Sequence, residues 1–92
     1  MENGGKNKGI ITLTDFLILK CLLIENNLVN RAISKKINIG LNSVGDRLIH
    51  LEKIELIKRV KADNGPGIIN FIEQKNKKKI EEFLKIIKEN PI

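Results

Sequence analysis

The chain has 92 residues, 41% of them hydrophobic and 30% charged, with 17 Lys and Arg against 11 Asp and Glu for a formal net charge of +6. That length holds one domain with a single modest core, and the apolar fraction is that of a folded globule. The positive balance favours an anionic partner, of which nucleic acid is the commonest. Three Phe with no Trp or Tyr leave too little aromatic surface to stack single-stranded bases. The one cysteine, Cys21, excludes an intramolecular disulfide and a multi-cysteine metal site.

Residues 1–11 read as a flexible polar tail that opens "MENGGKNKG" and has no secretory-signal character. No run approaches the roughly 18 to 20 apolar residues of a membrane span; the best, Phe16 to Ile24, is broken by Lys20. The expected location is the cytoplasm, at the nucleoid. Thr12 or Thr14 is placed to cap a first helix whose opening turn holds Asp15, the sign that the helix dipole favours. Phe16, Leu17, Ile18, Leu19, Cys21, Leu22, Leu23 and Ile24 surround the axis of that helix, which therefore needs cover on more than one side. In so small a domain a second copy of the chain is the expected cover. Cys21 itself reads as a small packed hydrophobe.

Leu28-Val29 forms a short extended link, and Asn30 is the expected N-cap of a helix over 31–37 that turns Ala32, Ile33 and Ile37 to the core. Asn38 tolerates the left-handed conformation of a tight turn. Ile39 packs inward, and Gly40 or Asn42 starts the next helix. There Val44, Leu48 and Leu51 fall at i, i+4 and i+7, one buried stripe. Glu55 closes it. Residues 56–62 alternate as a strand, "DNGPG" at 63–67 is dense in turn residues, and 68–72 is the return strand of a hairpin. "KNKKK" reads as a lysine-rich turn before a last helix, striped by Ile80, Phe83, Leu84 and Ile87 and widened by Ile86.

Within this order, "RAISKKINIGLNSVGDRLIHLEKIELIKR" resembles the winged helix-turn-helix regulators of bacteria and archaea. The pattern runs through Ile33 and Ser34, Lys35 and Lys36, and the hydrophobic-turn-hydrophobic unit Ile37-Asn38-Ile39. Asn42 and Ser43 precede Val44 where the family has a hydroxyl pair before a valine; Leu48 and Leu51 follow. "LEKIELIKR" looks like the family's junction into the wing, with Glu55 where that family usually has Gly. The likeness covers residues 12–73, the winged helix-turn-helix domain, and the segment 74–92 resembles the dimerisation helix of many small members. The implied fold is mainly α with a small β-hairpin (α+β) and a C-terminal helix.

The resemblance implies double-stranded DNA as partner, with helix 41–54 in the major groove, whose width of about 12 Å admits one helix. Hairpin 56–73 would then lie on the backbone or in the minor groove. Carried over by position, the groove-facing residues are Leu41, Asn42, Ser43, Gly45, Asp46, Ile49 and His50, with Arg47 at the flank. Asn42 suits adenine, Ser43 a base or phosphate, and Arg47 or His50 a phosphate or guanine. Arg31, Lys35 and Lys36 on the preceding helix, and Lys58, Arg59, Lys61 and Asn64 on the hairpin, suit the backbone; Lys75, Lys77, Lys78 and Lys79 extend the basic frame. A homodimer through helices 14–26 and 76–90 would present two reading helices about one DNA turn apart.

Plainer readings stand beside these. Asn42 reads equally well as an N-cap alone, Ser43 as a first-turn residue, and His50 as an ordinary surface residue. Gly45 costs about 1 kcal/mol in a helix, a cost that close approach to a backbone would explain. Asp46 departs from the pattern, since it repels phosphates unless it pairs with Arg47, Lys53 or a cytosine amino group. With Leu41 and Ile49 it favours the competing reading of a protein-contact module; a nonspecific architectural DNA binder is the other. No nucleophile–base pair, phosphate-cradling loop or paired acids occur, so neither an enzyme, a cofactor nor a metal is expected.

Overall fold

The computed structural model of the chain describes residues 11–63, 65 and 67–89, with side chains as far as residue 86. Asn64 and all of the expected tail except Ile11 lie outside the described residues. The elements run α1 (Leu13–Ile24), β1 (Leu28–Val29), α2 (Asn30–Ile37), α3 (Leu41–Lys53), β2 (Lys58–Lys61), β3 (Ile68–Phe71) and α4 (Gln74–Glu89). This is the winged helix-turn-helix order. The sheet is larger than the expected hairpin, because Leu28-Val29 joins it as a strand: β3 is central, antiparallel to both β1 and β2.

Thr12, rather than Thr14, caps α1. Its hydroxyl accepts from the Asp15 amide at 3.1 Å, and the Asp15 carboxylate accepts from the Thr12 amide at 3.1 Å, a reciprocal capping box. Beyond the helix, Asn26 clasps β3's end: its Nδ2 donates to the Ile72 carbonyl at 3.0 Å and its Oδ1 accepts from the Ile72 amide at 2.9 Å.

α2 begins one residue earlier than expected. Val29 occupies the cap position without a side-chain bond, and Asn30 is already helical. Its side chain instead accepts from Asn70, so the expected cap is diverted to the sheet. Asn38 does take the left-handed conformation, at φ 58 and ψ 47, and turns the chain in three residues into α3.

Gly40 caps α3 without a side chain, which relieves Asn42 of capping. At the far end Ile54 is the cap and Glu55 stands at φ 66. The Glu55 amide donates to the Glu52 carbonyl at 2.9 Å and the Leu56 amide to the Leu51 carbonyl at 3.0 Å, the two bonds of a Schellman ending. Its left-handed residue is best a glycine, and this is the physical reason that a glycine is usual there. A side chain in that conformation costs roughly 1 kcal/mol, part of which glycine returns as unfolded-chain entropy. Glu55→Gly should therefore raise stability by about 0.5 kcal/mol, or about 2–4 °C in thermal midpoint for a domain of this size. A lower midpoint would show that the Glu55 side chain makes a compensating contact.

One core joins all four helices to the sheet. Ile18, Leu19 and Leu22 of α1, Ile33 of α2, and Val44, Leu48 and Leu51 of α3 are fully buried, with Ile57, Ile72 and Ile80 almost so. α1 is less covered than its composition demands: Leu13 is 73% and Ile24 80% exposed. α4 starts at Gln74, so the lysines read as a turn lie in its first two turns. Burial of Ile80 and Leu84 outweighs the unfavourable placing of positive charge at a helix N-terminus. Phe83 remains 37% exposed on the same helix.

Candidate nucleic-acid interface

α3 has two unlike faces. Val44, Leu48 and Leu51 fix one in the core, while Leu41, Asn42, Ser43, Asp46 and Ile49 lie exposed on the other. Asn42, Asp46, Ile49 and Lys53 follow at i, i+4, i+7 and i+11, so they form one outward row. Among the described residues Asp46 makes no direct ion pair with Arg47 or Lys53, although its charge acts on Arg47 and helps to hold that guanidinium's pKa up.

Arg47 is engaged elsewhere. Its Nε donates to Asp15 Oδ1 and its Nη2 to Asp15 Oδ2, each at 2.8 Å, a planar two-point contact. Asp15 is fully buried and the Arg47 side chain 30% exposed. Burial is the largest single influence on the Asp15 carboxyl and pushes its pKa up. The Arg47 and Thr12 hydrogen bonds and the Arg47 charge together outweigh it, so the carboxyl sits below its ordinary value. The same hydrogen bond raises the guanidinium. The side chain assigned to phosphate or guanine thus joins α3 to α1.

His50 is half-buried, and its Nε2 is buried without a hydrogen-bond partner among the described residues. That nitrogen faces the protein. Arg59 is likewise drawn inward: its Nε donates to Asn70 Oδ1 at 2.8 Å, and its Nη1 lies 4.0 Å from Glu52. Lys36 pairs with Glu25 at 2.9 Å on the surface, and the hydrogen bond from its ammonium to Glu25 holds its pKa up; both groups are exposed, so the pair contributes little. Arg31 and Lys35 on α2 and Lys58 and Lys61 on β2 are exposed. They stand on the elements that precede and follow α3 in the chain.

Asn70 is the residue that sequence reasoning missed. It is fully buried in β3, opposite Leu28 on one side and Arg59 on the other. Its Nδ2 donates to the Leu28 carbonyl at 2.9 Å, to Asn30 Oδ1 at 2.8 Å and to the Ile68 carbonyl at 3.3 Å. It thereby ties the hairpin to the start of α2. The signal was one amide inside the apolar run "IINFI".

A groove of about 570 Å³ opens between these parts, lined by Val29, Asn30, Arg31, Leu41, Gly67 and Ile68. It runs between the tip of the hairpin and the first turns of α2 and α3. Burial pushes the Cys21 thiol up, away from the reactive thiolate. No helix among the described residues is long and apolar enough to cross a membrane.

The sequence matches no family model and no curated protein at a significant level. Its structure is similar to several solved ones. The YusO protein from Bacillus subtilis aligns with a TM-score of 0.74 at 21% identity, over 88% of this chain and 57% of that one. MepR, a transcription regulator of the Staphylococcus aureus multidrug efflux pump MepA, aligns at 0.72 and 22% identity, over 95% and 65%. A MarR family protein from Bacillus stearothermophilus aligns at 0.70 and 23% identity, over 88% and 56%. The likeness establishes the winged-helix fold, and the chain spans 56% to 65% of the length of these neighbours.

Proposed function

We propose that the chain is a sequence-specific double-stranded DNA-binding protein, a homodimeric transcriptional regulator that lays α3 in the major groove and the β2–β3 hairpin on the backbone or in the minor groove. The observation that carries this reading is the division of α3. Its inner face is fixed in the core and its outer face is exposed, and the elements before and after it in the chain carry exposed cations, Arg31 and Lys35 on α2 and Lys58 and Lys61 on β2. Phosphate contacts from such flanking residues position a protein, while the residues between them meet base edges. One of the solved neighbours, MepR, is a transcription regulator, which supports the same task. A protein with this task works on the nucleoid, in the cytoplasm, and is no enzyme.

Among the assigned contacts, Asn42, Ser43 and Asp46 are the base readers in this proposal, and Arg31, Lys35, Lys36, Lys58, Lys61 and Asn64 the backbone contacts. Arg47 and Arg59 instead support the elements that carry these. The exposed Leu13 and Ile24 on α1 and Phe83 on α4 offer apolar surface to a second copy, so α1 and α4 form the dimer interface and residues 74–92 extend the core of domain 12–73 into it.

The test is retention of sheared genomic DNA by the full chain against excess competitor at about 150 mM salt. Recovery of a few fragments that share an inverted repeat is the expected result; recovery of nothing, or of a smear, refutes a sequence-specific regulator. Replacing Lys58 and Lys61 by Ala should weaken binding to every sequence alike. It should also flatten the plot of log affinity against log salt by about 0.9 for each phosphate that is no longer neutralised. An unchanged slope would remove the hairpin from the interface.

A further inference from the structure

Before Lys53, the last residue of the helix, the outward face of α3 lacks what a guanine reader needs. From Leu41 to Glu52 its one guanidinium, Arg47, is held by the buried Asp15, and no lysine occurs before Lys53. What the row offers is apolar surface from Leu41 and Ile49, 43% and 55% exposed, an amide from Asn42 and a carboxylate from Asp46. In the major groove guanine shows two acceptors, cytosine an amino donor, adenine an acceptor beside an amino donor, and thymine an acceptor beside a methyl group. Asp46 only accepts, so it is repelled by guanine and attracted by an amino group. The thymine methyl is the one apolar group on the floor of the groove, and it is what Leu41 and Ile49 can meet. The A·T pair alone presents the amino group and the methyl together.

Gly45 points the same way. A Cβ built on it comes no closer than 3.8 Å to Asn30 Nδ2, an ordinary contact, so the packing of the chain has room for Ala. The helix carries glycine's intrinsic cost with no internal reason for it. A residue without a side chain between Leu41 and Ile49 (i+4 from one, i−4 from the other) lets both flanking side chains reach a flat surface.

We infer that α3 reads A·T pairs through the major groove, with Leu41 and Ile49 on thymine methyl groups and Asn42 and Asp46 on adenine amino groups. A guanine that faces Asp46 is refused rather than ignored. The repulsion that makes Asp46 a poor phosphate contact is what makes it a selector, since the exposed cations on α2 and β2 supply the attraction to the backbone. The inference rests on the DNA-binding reading.

Two pools of random-sequence duplex test it, one synthesised with thymine and one with uracil, which differs only by the missing methyl. The full chain at about 150 mM salt should enrich A·T-rich half-sites from the thymine pool. The uracil version of a winning site should bind about fourfold less tightly for each methyl contacted. The Leu41→Ala, Ile49→Ala double variant, changed only at exposed positions, should bind the two versions equally. Asp46→Asn should admit guanine where the wild type rejects it. Binding that is indifferent to uracil, or enrichment of guanine opposite α3, overturns this inference and leaves the DNA-binding reading intact. Cytosine in place of adenine overturns the assignment of Asp46. Retention of neither pool overturns the DNA-binding reading itself, and this inference with it.

Discussion

Arg47→Ala is expected to lower the stability of the fold by about 3 kcal/mol, the low end of the roughly 3–5 kcal/mol for breaking a buried ion pair. The figure is set by what stays behind. Asp15 is fully buried, and two of its hydrogen bonds come from Arg47. Without them its carboxylate keeps only the hydrogen bonds of Thr12, inside a core that cannot solvate it. Partial exposure of the Arg47 side chain lets water approach one end, which is why the low end applies. Arg47→Lys keeps the charge but not the planar pair of donors, and should fall between.

The pH dependence gives the sharper readout. In the native wild type the Asp15 carboxyl lies below its ordinary 3.8, so the unfolded chain takes up the proton first on acidification. The pair's contribution is therefore complete above 3.8 and is lost as pH falls through the depressed native value. In Arg47→Ala burial remains as the dominant influence and raises the native carboxyl, which reverses the sign. The two proteins should thus differ most at neutral pH and converge in acid, in urea unfolding followed across the range. A constant difference would mean that Arg47 acts by packing alone.

Asn70→Ala should cost about as much, on the order of 3 kcal/mol, by another route. The amide satisfies the Leu28 carbonyl, Asn30 Oδ1 and the Arg59 Nε at once, and each buried group left unpaired costs about 1–3 kcal/mol. Arg59 has only 9% of its side chain exposed, too little for water to replace the missing amide. Because Asn70 faces Leu28 in the ladder, the effect is expected to appear first as faster amide exchange in β1 and at the start of α2. Weakened protection spread evenly over the core would show instead that Asn70 holds no particular joint.

Local features were legible in the sequence because local chemistry dictates them. The left-handed turn at Asn38 follows from the residue itself, and the inner face of α3 follows from the spacing of Val44, Leu48 and Leu51. Once that face was fixed, the exposure of Asn42, Ser43, Asp46 and Ile49 was its complement. Contacts between distant residues were not legible. Nothing near Arg47 announces that its partner lies 32 residues earlier, and Asp15, acidic in a first turn, already had a sufficient explanation as a helix-start residue. Arg59 looked like any cation on a hairpin because its partner, 11 residues on, is an uncharged amide. β1 is two residues long and carries no periodicity. The start of α4 was hidden for the opposite reason: its lysines argue against a helix end, and only the burial of Ile80 and Leu84 decides otherwise.

The strand order has a consequence for how the molecule survives its own concentration. With β3 in the centre, the longer open edge of the sheet belongs to β2, and an open edge is a template on which another chain can add a strand. Lys58 and Lys61 sit on that edge and are exposed; bringing a second such strand alongside would set lysine against lysine. The same two residues that are proposed to hold DNA phosphates therefore guard the protein against aggregation. Removing them for a binding experiment removes that guard, so the variant's affinity is meaningful only where it is shown to hold the wild type's oligomeric state.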